Sequence, residues 1–139
     1  EEVGLRGAKV AAYRIMPDIA LVIESTTCAD VHNSPTEKSV TDMGGGAALS
    51  FMDSSTIVNR EYVEFLSRIS DGIAVQYKKT TMGGNDAGAI HKTGAGIRTA
   101  SVSVPCRYLH SPVGVCAKAD IEAVKKLAEK FLERVDEVI

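Results

Sequence analysis

Three places in this sequence carry side chains that are suited to hydrolytic chemistry. Glu1 and Glu2 are adjacent carboxylates, Glu24 follows an apolar run, and His110 lies in an Arg-Tyr-Leu-His-Ser-Pro segment. Carboxylates and an imidazole that lie far apart in sequence are common ligands of a hydrolytic metal ion, and a further carboxylate beside them can transfer protons. These residues therefore predict a metal-dependent hydrolytic site.

Each of these residues also has a purely structural interpretation. Glu24 can be a strand-end carboxylate that reaches solvent, and His110 can be a hydrogen-bonded histidine in a turn set by Pro112. Glu1 and Glu2 can be two solvated acids, because neighbouring side chains diverge on an extended backbone and seldom face one substrate atom as glycosidase carboxylates do. At a strand end, however, one of them can bind a metal ion while its neighbour faces the attacking water.

Several weaker candidates are interpreted as structural. His32 lies in a polar loop and His91 ends a small-residue helix, so both are expected to be structural or exposed. Asp86 follows a Gly-Gly-Asn turn, where it either caps the next helix or takes part in a site. Cys106 is interpreted as a packed thiol rather than a nucleophile, since no histidine and acid are arranged beside it.

The bulk properties indicate one globular domain without a charged partner surface. The chain has 139 residues, 45% hydrophobic and 24% charged residues, and a net charge of −2. This balance gives no electrostatic argument for nucleic acid or for a membrane surface, and no apolar run reaches the roughly 18 residues of a membrane span. Its three cysteines are predicted to be free thiols, which favours a reducing, cytoplasmic location.

Hydrophobic patterning predicts alternating helices and strands. Helices are predicted at 6–15, at 60–69 after an Asn59 cap, and over a last segment with Ile121, Val124, Leu127, Phe131 and Val135 on one face. Strands are predicted at 19–23, 47–52, 73–77 and 100–105, and a long loop at 25–46 that includes Asn33-Ser34-Pro35 and Gly44-Gly45-Gly46. This order predicts an α/β domain, a mixed β-sheet flanked by helices, with Glu24 and His110 just beyond strands where ligands gather.

Four segments together resemble one enzyme family. They are Glu1–Ala8 (EEVGLRGA), Pro17–Ala20 (PDIA), Gly83–Ile90 (GGNDAGAI) and Pro105–Pro112 (PCRYLHSP). In this order they resemble the dinuclear metallo-aminopeptidases of the glutamyl or deblocking type, the TET-like enzymes of metallopeptidase family 42. The resemblance runs from the first residue to the final helix, and it implies a zinc-exopeptidase-like (phosphorylase/hydrolase-like) catalytic domain.

The resemblance implies a role for each site residue. Glu1 matches the general base, Glu2 a metal ligand, and His110 the last metal ligand. Glu24 takes the place of a ligand that is commonly Asp in the family's DVT motif, and Asn85 replaces the Thr of its GGTDA motif. Three residues are expected near the substrate or behind the ligands: Asp86, Gly84 and Arg107.

The resemblance also implies that residues 1–139 are the C-terminal portion of a longer catalytic domain. Family members carry an N-terminal catalytic part with another histidine ligand and a bridging aspartate, and an inserted dimerisation domain. None of these matches this sequence, which offers two ligands for one ion and one for the other. A catalytic zinc site usually has three protein ligands. We therefore expect the isolated chain to bind metal poorly, to be inactive, and to fold alone with difficulty.

By this resemblance the whole enzyme hydrolyses N-terminal residues from short peptides. It uses two divalent ions, zinc or cobalt, and assembles into homo-oligomers from dimers to tetrahedral dodecamers. Substrate preference is expected to come from the loops at 44–46 and 83–86. Two alternatives stay open: a non-catalytic fragment or interaction subunit of the same fold, and a glycoside hydrolase, which the family's old cellulase label raises and the adjacent glutamates disfavour.

Overall fold

The computed structural model describes residues 1–32 and 39–139. Its helices are α1 (Arg6–Ile15), α2 (Arg60–Ile69), α3 (Ala87–Ile90) and α4 (Lys118–Arg134), with a 3-10 turn at Val135–Glu137. Its strands are β1 (Ile19–Thr27), β2 (Ala47–Leu49), β3 (Val75–Tyr77) and β4 (Arg98–Cys106). Within these described ranges, no helix combines the length and the apolar character needed to cross a membrane.

The four strands form one mixed sheet in the order β1-β4-β2-β3. β1 pairs with β4 in parallel over nine residues, and this register places Glu24 opposite Ser103. β4 pairs with β2 antiparallel, and β2 pairs with β3 in parallel. The predicted mixed sheet flanked by helices is therefore confirmed.

One face of the sheet is covered by α2 and α4, whose apolar stripes form the core. Tyr62, Phe65 and Leu127 are almost completely buried there, packed with Ala100 and Val102 of β4. Because side chains alternate along a strand, Ser101 and Ser103 point to the opposite face. That opposite face carries the polar side chains of the candidate site.

The predicted helices α1 and α2 match the structure residue for residue, and Asn59 caps α2 by accepting a hydrogen bond from the Tyr62 N–H at 3.3 Å. The last helix departs from the prediction at both ends. Ile121 is 47% exposed, and Val135 belongs to the 3-10 turn. The buried face of α4 is instead completed by Asp120 and Ala123.

The predicted bounds of all four strands were wrong at one end or both. β1 continues through Ser25, Thr26 and Thr27 because it pairs with β4 along its full length, so Glu24 lies inside the strand rather than at its end. β4 is longer than predicted for the same reason, and β2 and β3 are shorter. The predicted Asn33-Ser34-Pro35 loop lies outside the described residues.

The Gly44–Gly46 run has a structural explanation. The buried carboxylate of Asp120 accepts hydrogen bonds from the Gly44 and Gly46 N–H groups, each at 2.8 Å. Gly46 has a φ of +89°, and a side chain there would overlap the Ala74 carbonyl. These glycines bind α4 and are not among the residues that line the cavity described below.

Candidate functional site

Glu24 is held from behind by two buried side chains. Its Oε1 accepts a hydrogen bond from Nδ2 of Asn85 at 2.8 Å and another from Oγ of Ser103 at 2.9 Å. Burial raises the pKa of the Glu24 carboxyl, whereas these two hydrogen bonds and the nearby charge of Lys78 act in the opposite direction. Glu24 is therefore a positioned carboxylate and not a strand-end acid reaching solvent.

The loop before α3 carries Asn85 and Asp86, and it is Asn85 rather than Asp86 that caps the helix. Oδ1 of Asn85 accepts a hydrogen bond from the Ala87 N–H at 2.8 Å, so Asn85 caps the helix. Asp86 makes no capping bond, and its Oδ1 is buried without a partner among the described residues. Asp86 does not line the cavity, so the structure does not support a direct contact with substrate.

Glu2 and His110 meet although they are far apart in sequence. Nδ1 of His110 lies 3.0 Å from Oε1 of Glu2. Glu1 and Glu2 begin a turn that leads into α1, with Gly4 and Leu5 donating to the Glu1 carbonyl oxygen. The glutamate pair therefore stands at the start of a turn.

Glu1, Glu2, Glu24 and His110 all line one open cavity of about 530 Å³. Gly84, expected near the substrate or behind the ligands, also lines this cavity. Lys78, at the end of β3, contributes the positive charge of the cavity wall. Three carboxylates, an imidazole and one ammonium group thus converge, an arrangement suited to binding cations and a charged substrate.

The donors present fit part of a metal site. Two ligands of one tetrahedral zinc ion, at about 2.0–2.2 Å from it, lie roughly 3.4 Å apart, close to the separation of the His110 and Glu2 donor atoms. Among residues 1–32 and 39–139, however, no three His, Cys, Asp or Glu side chains lie close enough together to enclose an ion. Glu24 on one side and the Glu2–His110 pair on the other are therefore incomplete ligand sets.

Arg107 has a different partner from the one expected. Its Nε and one terminal nitrogen bind the two oxygens of Asp30 at 2.8 and 3.0 Å, and Arg107 does not line the cavity. The guanidinium holds the pKa of the Asp30 carboxyl well below its usual range. Arg107 therefore joins the segment after β1 to the segment that carries His110, which fits the second of its two expected places, behind the ligands, better than a place beside the substrate.

The structure confirms the interpretation of the remaining candidates. His91 closes α3 with its Nε2 2.7 Å from the Ser55 carbonyl oxygen, and His32 is exposed. Cys28, Cys106 and Cys116 are free, and Cys106 is buried.

Ser103 and Lys78 were not among the site residues predicted from the sequence. The alternation of Thr99, Ser101 and Ser103 with Ala100 and Val102 already indicated a polar second face on β4. No sequence signal identified Lys78, since its place in the cavity depends on how β3 pairs with β2.

The profile of the M42 glutamyl aminopeptidase family matches residues 1–127. A protein from Acetivibrio thermocellus assigned as an aminopeptidase is 42% identical over 133 residues, which are 93% of this chain and 39% of that protein.

Two solved structures show the same fold. The TET aminopeptidase from the marine sediment archaeon Thaumarchaeota archaeon SCGC AB-539-E09 is 36% identical with a TM-score of 0.92, covering 97% of this chain and 38% of that one. The Pyrococcus horikoshii TET1 peptidase, which assembles into a tetrahedron or a large octahedral shell, is 33% identical with a TM-score of 0.79, covering 94% and 38%.

The chain thus spans 38–39% of the length of these relatives. The matched region contains Glu1, Glu2, Glu24, Asn85 and His110, the residues that surround or support the cavity. The chain therefore belongs to the M42 glutamyl aminopeptidase family.

Proposed function

We propose that this chain supplies part of the catalytic site of a metal-dependent aminopeptidase that removes N-terminal residues from short peptides. The observation that carries the proposal is the convergence of Glu1, Glu2, Glu24 and His110 on one cavity. Family membership supports peptide hydrolysis as the reaction. The neighbouring Lys78 and Gly84 would then contact the substrate.

In this proposal Glu2 and His110 hold one divalent ion and Glu24 holds the other, with zinc or cobalt suited to this mixture of carboxylate and imidazole ligands. When bound, such ions supply Lewis-acid polarisation of the scissile carbonyl and a lowered pKa of the attacking water. The remaining ligands would come from outside the described residues, because residues 1–32 and 39–139 complete neither set. We expect the isolated chain to bind metal weakly and to be inactive.

Glu1 is the proposed general base. Its carboxylate lies at the same cavity and is near enough to Glu24 for their charges to interact. A carboxylate oxygen of Glu1 would accept a proton from the attacking water and then donate it to the nitrogen of the leaving amine. The adjacent Glu2 is not the proposed base, because its carboxylate faces the His110 imidazole, with which it would hold a metal ion.

The proposed setting of the enzyme is a homo-oligomer in the cytoplasm. The shells formed by the Pyrococcus horikoshii TET1 peptidase support self-assembly, and the free cysteines are consistent with a reducing compartment. A glycoside hydrolase is disfavoured, because Glu2 contacts an imidazole, whereas glycosidases hold two carboxyl groups roughly 5–9.5 Å apart across the scissile bond.

The proposal is tested in the complete enzyme with Glu1→Gln, Glu2→Ala and His110→Ala, and with Glu61→Gln on the exposed side of α2 as the control. Glu1→Gln should keep its metal content, by elemental analysis, and lose about 10²–10⁴-fold in kcat on an aminoacyl anilide. Glu2→Ala and His110→Ala should lose bound metal. Near-normal turnover of Glu1→Gln would contradict the base role, and unchanged metal content in the other two would contradict the ligand roles.

A further inference from the structure

We propose that Asn85 and Ser103 are positioning residues that fix the Glu24 carboxylate so that only Oε2 is presented to a metal ion. This inference rests on the proposed ligand role of Glu24 and adds how that ligand is oriented. It assigns a task to two residues that touch neither the metal ion nor the substrate.

Both donors bind the same oxygen of the Glu24 carboxylate. Asn85 and Ser103 reach Oε1 of Glu24 at 2.8 and 2.9 Å from two different elements, the loop before α3 and the strand β4. A carboxylate oxygen has two lone-pair sites, so two hydrogen bonds fill the Oε1 positions. Among the described residues nothing donates to Oε2, which leaves this oxygen available on the cavity side.

Both donors are themselves held in place by burial and by their own backbone surroundings. Asn85 is 1% exposed and Ser103 is 0% exposed. Oδ1 of Asn85 accepts the Ala87 N–H at 2.8 Å, so the amide cannot flip without losing a hydrogen bond, and Nδ2 must face Glu24. Ser103 is fixed by the β1–β4 register, which sets it directly opposite Glu24.

Glu24 and Asn85, the two residues that differ from the family motifs, contact each other. By the resemblance drawn from the sequence, Glu24 stands where the DVT motif has Asp, and Asn85 stands where the GGTDA motif has Thr. The structure joins them by a hydrogen bond. Groups that hydrogen-bond to a metal ligand orient it and commonly change metal affinity by about 10–100-fold. Glu24, which is longer and more mobile than Asp, depends more strongly on such support.

The experiment measures zinc affinity of the complete enzyme by competition with a chelator, together with metal content and thermal unfolding of the metal-free form. Ser103→Ala removes one donor. Asn85→Asp keeps the acceptor for the Ala87 N–H but replaces the donor to Glu24 with an anionic oxygen. Ser101→Ala is the matched control, a serine on the same strand and face that is 3% exposed.

We expect Ser103→Ala to weaken binding of one of the two ions by about tenfold and Asn85→Asp by about 10–100-fold, with Ser101→Ala unchanged. Introducing Ser103→Ala into Glu24→Gln should have no further effect on metal affinity, because the serine acts through Glu24. A purely structural serine would instead lower the unfolding temperature equally in the Ser101 and Ser103 variants and leave zinc affinity intact.

The outcomes separate this inference from the proposed function. If Glu24→Gln retains both ions at wild-type affinity, the ligand role of Glu24 fails. If Glu24→Gln loses an ion while Ser103→Ala and Asn85→Asp both bind zinc as tightly as wild type, the ligand role stands and the positioning role is overturned. An equal loss of affinity in Ser101→Ala would also overturn it.

Discussion

The buried carboxylate of Asp120 should control how often the 42–47 loop opens. This loop runs from the Val40 side of the cavity to β2, and it is bound to α4 through the Gly44 and Gly46 N–H groups at 2.8 Å each. The substitution to consider is Asp120→Ala, which removes both acceptors without adding a group to the core.

The magnitude follows from the different burial of the two N–H groups. Gly46 is buried, so its N–H loses a charge-assisted hydrogen bond worth about 1.5–3 kcal/mol and has no substitute. Gly44 is exposed, so water replaces its partner and the loss is about 0.5–1 kcal/mol. Together these give about 2–4 kcal/mol of local stability. Amide hydrogen exchange in this loop should therefore accelerate by about 30- to 900-fold.

Hydrogen exchange measured by mass spectrometry on the complete enzyme suits this test, because it reports local opening without requiring two-state unfolding. Asp120→Asn should give a smaller acceleration, since its remaining oxygen can still accept from Gly46. Glu122→Gln, on the exposed side of the same helix, controls for the lost charge near the helix N-terminus. An acceleration below about fivefold in Asp120→Ala, or one matched by Glu122→Gln, would refute this reasoning.

Two further predictions concern charge. Lys78 is the ammonium group on the cavity wall. Lys78→Glu should therefore lower kcat/KM for acidic relative to basic N-terminal residues by about 5- to 30-fold, because the screened Coulomb energy is about 1–2 kcal/mol. An equal effect on glutamyl, leucyl and lysyl anilides would contradict a role in selectivity. Arg107 lowers the pKa of Asp30 in the folded state, so the stability from this pair is present above the unfolded pKa of about 3.9 and is lost as pH falls below it. The difference in unfolding temperature between wild type and Asp30→Asn should therefore shrink from pH 7 to pH 3, and a constant difference would show that ionisation of Asp30 is not its source.

Secondary structure was predicted most reliably from the sequence where local interactions determine it. The apolar spacing of Tyr62, Phe65, Leu66 and Ile69 and the cap at Asn59 fixed both ends of α2, because these signals act within one or two turns. The fold class followed from the alternation of such elements. Strand ends were predicted poorly, because the length of β1 depends on its partner β4, some eighty positions away in the chain.

The candidate site was predictable as a set of residues but not as a geometry. Glu24 and His110 were identified from residue type and motif, whereas the donors behind Glu24 depend on which residue of β4 lies opposite it. Arg107 illustrates the same limit. The resemblance placed it near the substrate or behind the ligands, and its pairing with Asp30 depends on how β1 and β4 pair.

The backbone around His110 shows why that ion pair matters for the site. Tyr108 and His110 have φ values of 60° and 62°, a left-handed conformation that costs a residue with a side chain about 1–3 kcal/mol. Such a conformation persists only when its surroundings enforce it. Arg107 and Val115 exchange two backbone hydrogen bonds at 2.9 and 3.1 Å, and Asp30 holds the Arg107 side chain at the base of the same segment. Arg107 thus supports the position of His110, because it closes the loop whose strained backbone places the imidazole against Glu2.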